Sequence, residues 1–415
     1  FVLKPRDELI VEVSCRDAYL RLCCVAVLRD GHKIYLDERV DFQSSGQPIP
    51  NPNPEVELCS ALACLQTSQS DSEDFCMLEC SEMALLNNQD YHQSFCIALN
   101  KLISGLKVKS QNLNTGGTAM SAVDSKLLYV LDVSEGFSLL SLIAAHQGQV
   151  KAYSSVEKTK QQNVLRRLAH SNNISEQHLE FWLNHTEDER GVLQRPSREK
   201  LWSAIILDCV ETCGLVRQKL MEKASLARSG QPLRVYFIFT PWSFWFLLEE
   251  GGHIFPEKIV VYGMLVESDT LLLESAVQGR EPTLGFNIAP FINQFTVPVH
   301  VFLDFSTLEC RHLSEALELF VLDLMDANAN YTEREVMVEA ISGGRITAIP
   351  FWYQIHLDQN ISVSTLSRNS HWKQAAVVLQ EPLQVQARDW IRLAVKLHKS
   401  TISISAHIDT SVQMD

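Results

Sequence analysis

Residues 126–157 read KLLYVLDVSEGFSLLSLIAAHQGQVKAYSSVE, and the order of apolar runs in this stretch decides the fold. Residues 127–133 form a short apolar run of strand length, rich in Leu and Val, with Asp132 near its end. A turn follows around Gly136, residues 139–146 carry helical spacing, and Gly148 closes that helix. Residues 150–156 then read as a second strand that ends at Glu157. Strand, tight turn, helix and second strand with a terminal acid make the first unit of a nucleotide-binding βαβ layer. In such a unit glycines let a ligand approach the backbone, and the terminal acid holds ribose hydroxyls. Here Gly136 stands alone, between Ser134, Glu135, Phe137 and Ser138. The scaffold is present while its ligand-binding turn is damaged.

The chain around this stretch has 415 residues, 46% of them hydrophobic, enough for two or three domains. Its 36 basic and 50 acidic residues give a net charge of −14. That balance argues against nucleic acid as a direct partner, because no basic surplus exists to displace counterions. It suits a partner with basic segments. The 11 cysteines lack disulfide-framework spacing, and no signal peptide is read ahead of the four Asn-x-Ser/Thr sites. A reducing compartment is therefore expected, the cytoplasm and also the nucleus. The most apolar stretch, 235–248, is interrupted by Thr240, Pro241 and Ser243 and is too short to span a bilayer, so no membrane is expected.

Residues 1–13 and 20–28 alternate as β-strands. Residues 383–395 repeat the first of these: Arg6-Asp7 lies over Arg388-Asp389, and Leu9, Val11 and Val13 over Ile391, Leu393 and Val395. Residues 1–40 thus look like the last strands of a preceding β-barrel. Residues 41–75, rich in Pro, Ser, Gln and Asn, read as a linker. Residues 76–127 are a helical lead-in, with Phe95, Leu99, Leu102 and Leu106 on one face, followed by a polar connector from 107. Residues 128–256 form the α/β layer. Residues 257–407, β-branched and aromatic in alternation, form an antiparallel β domain with a helical insertion at 314–326, and 408–415 is a tail.

Five segments in order carry a resemblance. They are VLDVSEGFSLLSLIAAHQG (130–148), AHSNNI (169–174), Glu-Thr-Cys-Gly (211–214), GGHIFP (251–256) and Ser-His-Trp-Lys-Gln (370–374). Together they resemble the protein arginine N-methyltransferase family, in its two-module form. The resemblance implies a Rossmann-like class I methyltransferase layer followed by a β-barrel. It implies methyl transfer from S-adenosylmethionine to arginine in a protein substrate. A guanidinium is a planar cation, so two acids clamp it bidentately and aim one nitrogen at the methyl group. Glu211 matches the first acid of that clamp, while Leu220 stands where the second belongs and Glu222 is out of phase. The family's M-L-x-D-x-x-R pattern falls on residues 85–91, where Asn88 replaces the Asp and Tyr91 the cofactor-pairing Arg. Asp132, Gly136, Glu157 as ribose partner and Glu187 as adenine-edge contact complete the implied cofactor set. His371 and Trp372 match the loop that lines the substrate channel, although a His-Trp pair at a barrel strand is otherwise structural, and beside a degraded site that reading is favoured.

Other clusters favour packing over chemistry. Cys59, Cys64, Cys76 and Cys80 are too loosely spaced for zinc, and no metal is expected. Cys209 and Cys213 bracket Glu211, whose charge would raise a thiol pKa. Trp242, Phe244, Trp245 and Phe246 form a core or interface cluster. The expected function is a catalytically degenerate second module that completes a pseudo-dimer with an N-terminal catalytic module of the same protein. An active arginine methyltransferase using Glu211 and Glu222, or a scaffold holding the substrate protein, are the alternatives. Phe286, Ile288, Phe291, Ile292 and Phe295 are the interface candidates.

Overall fold

The computed structural model describes residues 7–16, 19–29, 32–35, 78, 80–113, 127–134, 137–156, 158–183, 193–197, 199–217, 222–224, 227, 247–279, 281–282, 284–296, 299–326, 333–368, 370–398 and 401–409. The chain divides into two compact units, Phe1–Asp71 and Ser72–Asp415. In the first, β1 (Glu8–Arg16), β2 (Tyr19–Arg29) and β3 (His32–Tyr35) make an antiparallel sheet in the order β1-β2-β3. Asp7 anchors its start by accepting from Arg29 Nε at 2.8 Å.

The second unit opens with α1 (Cys80–Asn87) and α2 (Gln89–Leu113). Asn88 separates them and caps α2, its Oδ1 accepting from the Tyr91 amide at 3.0 Å, a contact typically worth ~1 kcal/mol. Tyr91, Phe95, Leu99 and Ile103 recur every four residues and bury one face of α2. The helix runs to Leu113, so the polar stretch from 107 begins as helix rather than connector.

A five-stranded parallel sheet follows, built from β4 (Leu128–Asp132), β5 (Val150–Val156), β6 (Leu179–Leu183), β7 (Trp202–Ile206) and β8 (Leu248–Phe255). Helices α3 (Leu140–His146) and α4 (Thr159–Ser171) connect its first strands. The order is β6-β5-β4-β7-β8 with every pair parallel. Strands β4 and β7 are buried nearly throughout, as expected of central parallel strands covered on both faces. The order reverses between β4 and β7, and ligands of open α/β sheets bind at the carboxyl ends beside such a reversal. This is the Rossmann-like layer that the 126–157 stretch calls for.

The remainder is antiparallel. Strands β9 (Lys258–Gly263), β10 (Val266–Glu267), β11 (Val299–Leu303), β12 (Arg311–His312), β13 (Leu317–Asp323), β15 (Gly344–His356), β16 (Ser362–Ser364) and β17 (Gln374–Val385) form one eight-stranded sheet. Strands β14 (Glu333–Glu339), β18 (Trp390–His398) and β19 (Thr401–Ile408) form a second sheet of three. Both sheets feed one core, in which Ile391, Leu393 and Val395 of β18 join Ile346, Phe351 and Tyr353 of β15. The ladders among the described residues run as an open path and do not close a ring. Between β10 and β11 lie α5 (Asp269–Ser275), α6 (Ala289–Ile292) and a short 3₁₀ turn, Asn293–Phe295.

One expectation fails here. Residues 314–326 are not a helix: β13 occupies Leu317–Asp323 and pairs with β9, Val321 facing Val260 and Leu322 facing Ile259. Ala, Leu and Glu give this segment helical propensity. A bulge between Glu318 and Phe320 nevertheless lets Leu319, Phe320 and Leu322 all enter the core, so tertiary burial outweighs propensity.

The paired strand motifs noted in the sequence share a register. In the first unit Val13 faces Leu22 and Arg16 faces Tyr19. In the second, Val395 faces Ile404 and His398 faces Thr401. Aligning Asp7 with Asp389 therefore lays one hairpin on the other, apart from a bulge at Ile10/Val11 in the first.

Candidate functional site at the carboxyl ends of β4 and β7

Asp132 is the last residue of β4 and is almost fully buried. A carboxylate there needs donors, and the following turn supplies three. The Ser134 amide reaches Oδ1 at 3.0 Å, while the Ser138 hydroxyl and the Ser141 amide reach Oδ2 at 2.9 and 3.1 Å. Burial raises the Asp132 pKa, and these hydrogen bonds oppose the rise. The same turn folds Phe137 inward until its ring is buried, and the Phe137 amide donates to Glu82 Oε1 of α1 at 3.2 Å. Asp132 thus serves the turn and the start of α3.

Tyr91, on the first turn of α2, comes to the same end of the sheet and is only 3% exposed. Its ring meets Phe95 at 4.9 Å, His371 at 5.3 Å and Trp372 at 5.5 Å between centroids, the two last edge-on. The rings of His371 and Trp372 lie 3.8 Å apart between centroids, tilted by 34°. Asn88 Nδ2 lies 3.0 Å from His371 Nδ1, and Trp372 Nε1 donates to the Val210 carbonyl at 3.1 Å. Burial, with His92 nearby, pushes the His371 pKa down to about 3, so its imidazole is neutral. The Tyr91 phenol is pushed well above its usual value by burial, then by the charges of Asp208 and Asp132. Tyr91, His371 and Trp372 therefore form a closed aromatic cluster.

Glu211 sits just beyond β7 in a tight turn. Its carbonyl accepts from the Gly214 amide at 3.0 Å, its amide donates to Leu215 at 2.8 Å, and its Oε2 accepts from Cys213 Sγ at 3.3 Å. The turn is tied to the β domain at three points. The Lys373 amide donates to Thr212 O at 2.8 Å, the Phe302 amide to Cys213 O at 3.0 Å, and the Tyr353 hydroxyl to Gly214 O at 3.1 Å. Gly214 has φ +91°, and a Cβ there would lie 2.5 Å from the Gln374 carbonyl carbon. Only glycine fits both demands. Burial raises the thiol pKa of Cys209 and Cys213, the latter also through Glu211, so neither is a poised nucleophile.

Asp132, Tyr91, Glu211, His371 and Trp372 are thus gathered at one end of the sheet. Glu222 is exposed in the helical stretch 222–224. Gly136, Glu157, Glu187 and Leu220 lie outside the described residues, as do Cys59, Cys64, Cys76 and the cluster from Trp242 to Phe246. Cys80 is exposed, and among the described residues no group of three His, Cys, Asp or Glu side chains is placed to hold a metal. Sequence reasoning missed Glu82, Tyr353 and Phe302 as site residues, since their partners are 55, 139 and 89 positions away or carried by backbone atoms. No local pattern marks such pairs.

The loop between β10 and β11 carries a second surface feature. Phe286 is 70% and Phe295 80% exposed, with Leu284, Phe291 and Ile292 also exposed. Asn293 fixes the loop: its Oδ1 accepts from the Val277 amide at 3.0 Å and its Nδ2 donates to the Val277 carbonyl at 2.9 Å.

Comparison with known proteins agrees with this architecture. Residues 261–414 match the model of the arginine methyltransferase oligomerization subdomain. The chain is 47% identical over 416 residues to human protein arginine N-methyltransferase 9, covering 97% of this chain and 47% of that protein. The Xenopus laevis protein of the same name is 44% identical, with 96% and 46% covered. The chain therefore spans about half the length of the curated relatives it matches. Among solved structures, the Trypanosoma brucei PRMT1 enzyme–prozyme heterotetrameric complex with AdoHcy superposes with a TM-score of 0.54 at 15% identity, over 79% of this chain and 94% of that one. That likeness concerns the fold, and the sequence relatives carry the affiliation: the chain belongs to the protein arginine N-methyltransferase family.

Proposed function

We propose that this chain is a methyltransferase-type module without cofactor chemistry of its own, acting as the internal partner of a catalytic module in a longer protein arginine methyltransferase. The whole protein transfers a methyl group from S-adenosylmethionine to arginine in a protein substrate. The matching hairpins β1–β2 and β18–β19 support two barrel ends, and hence two modules, in one chain.

The position of Tyr91 carries the reading. Where the family resemblance asks for an arginine facing the cofactor's carboxylate, the chain puts a buried phenol walled by His371 and Trp372. Replacing a cation by a phenol forfeits a charge-assisted pair typically worth about 1.5–3 kcal/mol. Phe137 fills the turn and Asp132 is occupied by three donors. The residues present do not suit S-adenosylmethionine. Glu211 without a second acid at Leu220 gives half a guanidinium clamp.

The exposed apolar loop at 284–295 supports the partner role. Exposing several aromatic side chains together is costly unless they are covered by another surface. The trypanosomal relative is an enzyme–prozyme heterotetramer. We carry that division of labour to this chain, with both modules on one polypeptide. The test uses the intact protein and two measurements. Calorimetric titration should find one S-adenosylmethionine site per polypeptide, and two sites would overturn the reading. Phe291→Ser with Phe295→Ser should abolish methyl transfer while the melting profile stays cooperative. Full activity in that variant would remove the interface role.

A further inference from the structure

A cleft of about 290 Å³ lies in the second unit between α2, the strand β8 and the turn that follows β15. Leu102, Leu106 and Phe255 give it an apolar lining, and Lys101, Asp358 and Glu257 give it charge. Two of these charges satisfy each other. Lys101 Nζ lies 2.6 Å from Asp358 Oδ2, and Asp358 Oδ1 accepts the Asn360 and Ile361 amides at 2.7 and 2.8 Å. His253, also on the lining, donates Nε2–H to the Leu357 carbonyl at 3.0 Å when neutral, which leaves Nδ1 an acceptor. The carboxylate of Glu257 has no hydrogen-bond or ion-pair partner among the described residues. With Lys101 and Asp358 cancelling, the cleft keeps one negative charge, as a ligand with one positive charge requires.

A second observation is independent of charge. Gly105, which also lines the cleft, sits inside the 25-residue helix α2, where glycine is a poor choice. Packing does not ask for it, since nothing lies within 4 Å of the place a Cβ would take. Ile97, Lys101, Gly105 and Val108 follow one strip of the helix, at spacings of four, four and three. Ile97 is 50% and Val108 56% exposed, so apolar side chains stand at both ends of the strip, with the paired Lys101 between Ile97 and the glycine. A missing side chain in a strip with exposed apolar ends allows another backbone to approach the helix closely.

We propose that this cleft takes a lysine or arginine side chain from a protein segment that crosses α2 at Gly105. The apolar stem lies against Leu102, Leu106 and Phe255, and the cation reaches Glu257. The flanking Ile97 and Val108 favour a protein segment over a free small cation, whose contacts would end at the cleft. The net charge of −14 draws basic segments toward the chain.

The experiment uses the intact protein and an acetylated, amidated peptide with one central lysine between alanine and leucine residues, which avoids the arginine that the catalytic module takes, followed by fluorescence anisotropy. The peptide should bind, and its glutamine analogue should not. Gly105→Leu and Glu257→Gln should each weaken binding by about tenfold or more. Leucine is a strong helix former, so Gly105→Leu should leave the melting temperature equal or higher, which separates blocked binding from damaged folding. Equal binding by both variants, or no binding by the parent protein, would overturn the site. n-Butylamine, a free cation with one positive charge, binding as tightly as the peptide would overturn the assignment to a protein segment.

Discussion

Replacing Tyr91 with alanine tests whether the aromatic cluster is core or a plugged ligand site. Tyr91 is 3% exposed and its ring meets Phe95, His371 and Trp372 within 5.5 Å of centroid separation. Truncating a buried aromatic ring typically costs about 3–5 kcal/mol, because the transfer energy is lost and a cavity remains. The edge-on pairs account for roughly 0.5–1.5 kcal/mol of that each. For a unit of this size, ~1 kcal/mol moves the melting temperature by roughly 2 °C, so Tyr91→Ala should melt some 6–10 °C early, by the same rough scaling. Tyr91→Phe keeps the ring contacts and should stay within about 1 kcal/mol of the parent. Calorimetry with and without S-adenosylmethionine completes the assay. A vacated cofactor site would bind the cofactor and regain stability through binding to the folded state. The cluster as described predicts no such rescue, since Phe137 still fills the turn and no cation replaces the phenol. Parent-like stability of Tyr91→Ala, or its restoration by cofactor, would refute the reasoning.

Asp132→Ala strands three donors around a buried acceptor position, from Ser134, Ser138 and Ser141, and should destabilise by at least about 3 kcal/mol in denaturant titration. Asp132→Asn keeps one acceptor and should fall between the variant and the parent. His371 is held neutral, with its pKa lowered from 6.5 to about 3 by burial. The unfolded chain therefore binds a proton that the folded chain refuses in that interval. The stability due to His371 is complete above pH ~6.5 and is lost as pH falls toward ~3. His371→Gln should flatten that part of the stability–pH profile measured by chemical denaturation, and an unchanged slope would show that His371 is not the group responsible.

What the sequence alone determined was periodic and local. Apolar runs, Gly148 and Glu157 placed β4, α3 and β5 to within a residue or two; β4 is apolar up to Asp132 because both its faces are covered, whereas β5 also carries Lys151, Ser154 and Ser155. The family affiliation was legible because five motifs occur in order. The losses at Tyr91 and in the turn were legible because a replaced arginine or glycine shows at its own position. What those replacements do was decided only by the tertiary structure. Nothing in residues 85–91 says that the phenol will find His371 and Trp372, some 280 positions away, because ring contacts depend on how the β domain meets α2. The strand β13 was misread for the same reason. Its helical propensity amounts to tenths of a kcal/mol per residue, whereas pairing with β9 buries Leu319, Phe320 and Leu322 at about 1.5–3 kcal/mol each. Gly105 is the converse case. Its sequence context is an ordinary helix, and only the open space beside it, in a cleft lined by Glu257, turns a poor helix former into a feature with a purpose.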